Sequence, residues 1–163
     1  MLPQLAIPEP VLPHPIPGYR LPETPEHRLS WSFVTEQMSA ARYYWITTVN
    51  RHGQPHAVPV WGLWYEHRVH LEGSPKTAWA RNALRQPDVS LHLPSAEQVV
   101  LIEGRAQFLG DTDLDAAAWH TLDTQYQTKY ATHQGSPWIV IHPRKVVAWD
   151  HPNLQTMTCW SFE

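Results

Sequence analysis

Cysteine occurs once in these 163 residues, at Cys159, so no internal disulfide framework can hold the fold and its core must come from packing. Charge is scarce as well: 17% of residues are charged and the net charge is −3. No basic surface stands ready to neutralise a phosphate backbone, which argues against nucleic acid as a partner. No apolar run approaches the roughly 20 residues needed to cross a bilayer, since Val99-Val100-Leu101-Ile102 is stopped by Glu103. Membrane insertion is not expected. The first residues lack the basic stretch, apolar run and cleavage site of an export signal, and a cytoplasmic protein is the expectation. Walker loops, Gly-x-Ser-x-Gly elbows and dinucleotide glycine fingerprints are missing, and Cys159 has no activating histidine near it in sequence, so a nucleophilic enzyme has no support. Eleven histidines are present, but His67 and His70 fall on opposite faces of a strand, and His52 and His56 straddle a turn without cysteines or paired carboxylates. No metal site is expected.

Tryptophan is abundant, nine residues against three phenylalanines; such large amphipathic rings serve cores, dimer interfaces and flat ligands alike. Half of the 16 prolines fall between Pro3 and Pro25, where they rule out helix and central strand. Residues 1–30 are therefore expected to be an extended arm, and Leu2, Leu5, Ile7, Val11, Leu12, Ile16 and Tyr19 favour wrapping of a neighbouring surface over disorder. Residues 31–163 are expected to be one domain, the size of a single core.

Within that domain Ser32 is expected to cap a helix ending near Arg42. Residues 43–49 and 55–65 read as a hairpin around Asn50-Arg51-His52-Gly53, and Glu66-His67 leads into a strand over 68–72. A short helix is expected over 76–86, then strands over 89–93 and 99–109, the second bent or bulged at Gly104. Residues 111–131 read as a helix capped by Asp111 or Thr112, and three short strands follow at 138–142, 145–150 and 156–162. Many short antiparallel strands with few helices predict a mainly β barrel.

Two segments carry chemistry. Gly53-Gln54-Pro55-His56-Ala57-Val58-Pro59-Val60-Trp61-Gly62 holds two prolines in a strand pattern, so it is either a solvent-facing edge or a strand whose ladder position is filled by something else. A flat heterocycle with polar groups on its rim could fill it. In Gly73-Ser74-Pro75-Lys76-Thr77, Ser74 can cap a helix with Pro75 at its first position. Free N–H groups, the helix dipole, Lys76, Thr77 and Arg81 one turn on could then hold a terminal phosphate. An ordinary capped helix with solvated Lys76 is the competing reading. His56 and Tyr65 could donate protons near a reduced cofactor, but structural roles are favoured for both.

The order of Ala41-Arg42-Tyr43-Tyr44-Trp45-Ile46-Thr47-Thr48-Val49, Gly53-Gln54-Pro55-His56, Pro59-Val60-Trp61-Gly62, Ala80-Arg81-Asn82, Gln86-Pro87-Asp88-Val89-Ser90-Leu91 and residues 99–104 resembles the pyridoxamine-phosphate-oxidase-like flavin split-barrel family. The resemblance implies a six-stranded antiparallel split barrel forming a homodimer. It places FMN in the groove between subunits, with its ring against the second strand and its phosphate by the loop and helix after the third. His56, Val58, Pro59, Val60 and Trp61 would then line the ring, and Gly73, Ser74, Lys76, Thr77 and Arg81 the phosphate, with Trp160 reaching the cofactor from its own chain or across the dimer. The implied activity is FMN-dependent oxidation or reduction of a small organic substrate; no catalytic residue is assigned. Two departures stand out. Relatives carry a Ser-Arg-Lys run where this chain has Thr77-Ala78-Trp79, and arginines where Cys159 and Ser161 flank Trp160. A deazaflavin coenzyme, whose longer tail depends on different phosphate contacts, is therefore the alternative, and a non-catalytic flavin or haem carrier a third.

Overall fold

The computed structural model describes residues 2–110, 113–134 and 137–162. Its strands are β1 (Tyr44–Val49), β2 (Pro55–Val60), β3 (Gly62–Tyr65), β4 (Arg68–Glu72), β5 (Asp88–His92), β6 (Gln98–Phe108), β7 (Trp138–Asp150) and β8 (Asn153–Ser161). All pairings are antiparallel, in the order β2-β1-β5-β6-β7-β4-β3, with β8 also on β7. β2 and β3 lie at opposite ends of this order, yet only Trp61 separates them in the chain. The sheet must therefore curl until its ends meet at Trp61. Taken as one bent strand, β2 and β3 complete a six-stranded ring with β8 outside it, the expected split barrel.

The split itself is visible on β7. Its first part, Trp138 to Ile141, pairs with β4, and its second part, from Lys145, pairs with β8. The change falls at Pro143-Arg144, opposite a register shift between Glu103 and Gly104 of β6. A bulge is where a strand tolerates a proline. Gly104 is required there, because a Cβ would stand 2.6 Å from the His142 carbonyl oxygen.

Alternation of side chains across the strands builds two cores. Ile46, Leu71, Leu91, Ile102 and Ile139 fill the barrel, and helix α1 (Trp31–Ala40) adds Val34 and Met38 to them. The other face of β3, β4 and β7 presents Leu63, Trp138 and Val140 to Leu122, Tyr126 and Tyr130 of helix α3 (Ala116–Tyr130). Burying each such residue contributes about 1.5–3 kcal/mol, and β4, covered on both faces, is the most enclosed strand. Helix α2 (Ala78–Arg85) packs along β1, where Asn82 Nδ2 donates to Thr48 Oγ1 at 3.2 Å and Arg85 donates to the Val49 carbonyl at 2.7 Å.

Several boundaries differ from those read in the sequence. α1 is capped by Ser30, not Ser32, and stops at Ala40. α2 begins at Ala78 because Thr77, not Ser74, is its cap and accepts from the Ala80 N–H. α3 starts at Ala116 with Asp115 as the cap, whose side chain takes the Ala118 N–H; Asp111 and Thr112 lie outside the described residues. The strands expected at 138–142 and 145–150 are one, carried through Pro143 by the bulge, whereas the single strand expected over 55–65 is two.

The proline-rich arm lies on its own barrel. Val11 and Cys159 exchange backbone hydrogen bonds of 2.8 and 3.0 Å, Gln155 Nε2 donates to the Arg20 carbonyl at 2.8 Å, and Arg68 Nη2 donates to the Pro3 carbonyl at 2.6 Å. Among the described residues no helix is long and apolar enough to cross a membrane.

Candidate functional site

Among the described residues β2 pairs only with β1, and its prolines are in phase with that. Alternate residue pairs in an antiparallel ladder exchange hydrogen bonds, and Pro55 and Pro59 oppose Val49 and Trp45. Neither can donate, so the bonded pairs are Tyr44–Val60, Ile46–Val58 and Thr48–His56. The strand thus loses nothing to β1 and turns the Pro55 and Pro59 carbonyls and both polar groups of Ala57 outward. This edge is the groove wall available to a flat ring. Its side chains divide between two faces: Val60 is buried, Val58 packs against the barrel core and His56 is half-buried, while Pro59 is exposed and Trp61 is 40% exposed.

Trp61 stands at the barrel seam with one indole face covered, stacked on Tyr130 at 4.6 Å between centroids and 5° between planes. Gly62 follows because β4 passes directly beneath it, and a Cβ would lie 2.7 Å from the His70 carbonyl oxygen. The Gly62 N–H donates to the Tyr130 hydroxyl at 3.0 Å, that hydroxyl donates to the Arg42 carbonyl at 2.6 Å, and Lys129 Nζ donates to the Gly62 carbonyl at 2.8 Å. Lys129 also lies over the Tyr44 ring at 4.9 Å and the Tyr130 ring at 5.3 Å. Burial, reinforced by Arg42, pushes its amine down to about 8, and burial raises the Tyr130 phenol. α3 therefore locks the seam on which the ring groove depends. The sequence reading missed Lys129 and Tyr130; the i, i+4 pair Tyr126 and Tyr130 with Lys129 beside it was the available signal.

The loop expected to take a phosphate is folded onto itself. Thr77 Oγ1 donates to the Ser74 carbonyl at 2.8 Å while accepting from Ala80 N–H, and Ser74 Oγ accepts the Lys76 N–H at 3.2 Å. The Arg81 guanidinium donates to the Lys76 carbonyl. Trp79, only 7% exposed, lies against Gly73 so closely that a Cβ there would be 2.2 Å from the indole. Trp79 covers Gly73, and the Thr77 hydroxyl spends its proton within the loop, whereas the Ser74 hydroxyl only accepts there. The free edge of β2 offers backbone polar groups of the kind the rim of an FMN ring would need, while the loop offers a phosphate the Ser74 O–H and the Lys76 amine but not the Thr77 O–H.

Cationic groups gather beside that loop. An open groove of about 800 Å³ runs between the β1–β2 turn and the exposed side of α2, lined by Arg51, His52, Arg81, Leu84 and Arg85. No salt bridge among the described residues involves these arginines. Trp160 is elsewhere: it is 1% exposed and packs edge-on against Trp31 at 5.3 Å, inside the barrel core. The structure thus brings Ser74, Lys76, Thr77 and Arg81 together, aligns residues 56–60 on β2 with Trp61 just past its end, and sets Trp160 apart.

A closed antiparallel ring whose bent second strand leaves one edge free, with α2 beside it, defines a split barrel of the flavin-binding architectural class. The sequence profile described as pyridoxamine 5'-phosphate oxidase matches residues 33–150, and the chain belongs to that family. Three solved structures illustrate the range of similar folds. A haem-binding protein from Mycobacterium smegmatis superposes with a TM-score of 0.63 at 20% identity over 82% of this chain and 59% of its own. A FAD-binding protein from Mesorhizobium loti gives 0.56 at 19% over 83% and 96%, and an F420 reductase 0.55 at 17% over 76% and 98%. At these identities the likeness shows the fold alone. No curated protein sequence matches the chain.

Proposed function

We propose that two copies of this chain form a homodimer that holds a flavin-class tricyclic ring along the free edge of β2 and acts as an oxidoreductase on a small organic substrate. The observation that carries this reading is the proline-phased edge, which leaves backbone acceptors and the Ala57 N–H facing a groove beside an aromatic corner. When bound, the ring would supply the hydride chemistry. The chain's own contribution is to orient the ring by Ala57 and the two proline carbonyls, to offer the outer face of Trp61 as an apolar wall, and to keep the seam rigid through Tyr130. The half-exposed Trp45–His92 stack on the neighbouring strands supplies an aromatic face of the kind a second subunit covers.

FMN is the cofactor the family resemblance suggests first, and the closed Gly73–Thr77 loop speaks against it. A deazaflavin coenzyme is the better fit, because its longer phosphate-bearing tail can pass the loop and meet Arg81, Arg85 and Arg51 in the open groove. The existence of an F420 reductase with the same fold agrees with this. Absorbance and mass spectrometry of the as-purified chromophore, with light scattering, test the reading. A deazaflavin spectrum on a dimer is the expected result. A colourless protein whose melting temperature responds to neither cofactor would replace the enzyme by a non-catalytic member of the fold, and a haem spectrum by a carrier.

A further inference from the structure

The proline-rich arm roofs a space that it does not fill. Beneath it lies the outer face of β7 and β8, where Lys145 opposes Ser161 and Val147 opposes Cys159. Trp160 turns its ring into the barrel core, so its neighbours Cys159 and Ser161 point the other way, and Met157 lines the same outer space. The arm is pinned above this face at Val11, by the backbone hydrogen bonds to Cys159, and at Arg20, by the bond from Gln155. Between those pins no backbone hydrogen bond joins residues 12–18 to the barrel among the described residues. Pro13, Pro15 and Pro17 have no N–H to give, and the span stands off the sheet over a cavity of about 310 Å³.

Close-packed proteins leave few spaces much larger than a water molecule, and this one has unlike ends. Leu12 and Ile16 of the arm face Val147 and Met157 of the sheet, which makes an apolar slot, and Lys145 with Ser161 stands at one end of its floor. Residues directly opposite in a ladder hold their Cβ atoms about 4.5–5.5 Å apart, close enough for one ligand group to meet both side chains. Lys145 is open to such a group: its side chain is 46% exposed, and its ion pair with Glu103 on the neighbouring strand is a loose one of 3.9 Å.

We infer that this slot binds a medium-chain aliphatic carboxylate, with the alkyl chain between the arm and the Val147–Met157 floor and the carboxylate on Lys145 Nζ and the Ser161 hydroxyl. A carboxylate accepts from an ammonium and a hydroxyl at once, and an unbranched chain adapts to an irregular apolar slot by rotation about its bonds. The strands β1, β5 and β6 separate this site from β2 in the sheet order, so the inference stands whether or not a ring occupies the β2 edge.

Octanoate is the probe, titrated into the full chain carrying 13C-methyl methionine. Met157 lines the slot and Met38 is buried in the barrel core, which gives one reporter and one internal control. The Met157 signal is expected to shift saturably with a Kd of about 1 mM or below while Met38 stays still. Hexanoate, shorter by two methylenes, is expected to bind about tenfold more weakly. Lys145→Met keeps an apolar stem at an exposed position and is expected to weaken octanoate severalfold at unchanged melting temperature. A Met157 signal unmoved by about 10 mM octanoate, as when a second copy of the chain fills the slot, would overturn the inference. So would equal binding of octylamine, Met38 moving in step with Met157, or unchanged affinity in Lys145→Met.

Discussion

The two sides of the proposed groove beside β2 are built from different materials. On the ring side the chain presents backbone, and backbone keeps its function as long as the prolines stay in phase with β1 and the seam stays closed. On the phosphate side a site depends on side chains, and here Thr77 has become a helix cap while Trp79 fills the hollow over Gly73. A site made of backbone survives changes that remove one made of side chains. The proposed ring site therefore rests on backbone that many sequences can supply, and the proposed phosphate site on particular side chains.

The comparison is broken most severely at the seam. Gly62→Ala places a Cβ against the His70 carbonyl of the adjacent strand, where neither backbone can yield. A loss of about 3 kcal/mol or failure to fold is expected, read by urea denaturation; a neutral result would mean that the seam does not close as described. On the phosphate side the double change Ala78→Arg with Trp79→Lys uncovers Gly73, keeps the Thr77 cap and adds two cations. FMN affinity should then rise by about a hundredfold, the equivalent of two charge-assisted contacts, while stability falls because Trp79 is buried. Isothermal titration separates the two effects.

Smaller effects sharpen the account of the seam. Tyr130→Phe keeps the stack on Trp61 but removes the hydroxyl shared by Gly62 and Arg42, and should cost about 1–3 kcal/mol. Lys129 gives a pH signature. Its amine is depressed to about 8 from an ordinary 10.5, so between those values the unfolded chain binds more protons than the folded one, and stability rises with pH. The penalty of holding the charged amine is complete below about 8 and gone above 10.5. Lys129→Met should flatten that rise relative to the wild-type curve, and equal slopes would show that the amine is not confined as described.

Much of the fold was legible because local chemistry spoke for it. The β1–β2 turn, the Gly104 irregularity and β4 all follow from turn residues and β-branched patterning. The break between β2 and β3 did not, because Gly62 read as one position within a continuous strand pattern: Trp61 passes from one end of the sheet to the other, a fact of closure rather than of local preference. β7 read as two strands because Pro143 usually ends one, and only the partner strand reveals the bulge that absorbs it. The start of α3 was misplaced because Asp111, Thr112 and Asp115 are equally good caps on paper. At the site, the edge character of β2 was readable from its prolines. The fate of the phosphate loop was not, since Trp79 looks like any apolar helix residue until its indole is seen over Gly73.

The most direct test of the contrast between the two halves is a paired titration of riboflavin and FMN, which share the ring and differ by the phosphate. If the β2 edge holds the ring and the Gly73–Thr77 loop holds nothing, the two bind within about threefold of each other, a difference below about 1 kcal/mol. FMN binding orders of magnitude more tightly than riboflavin would show that the loop still grips a phosphate, and would contradict the account.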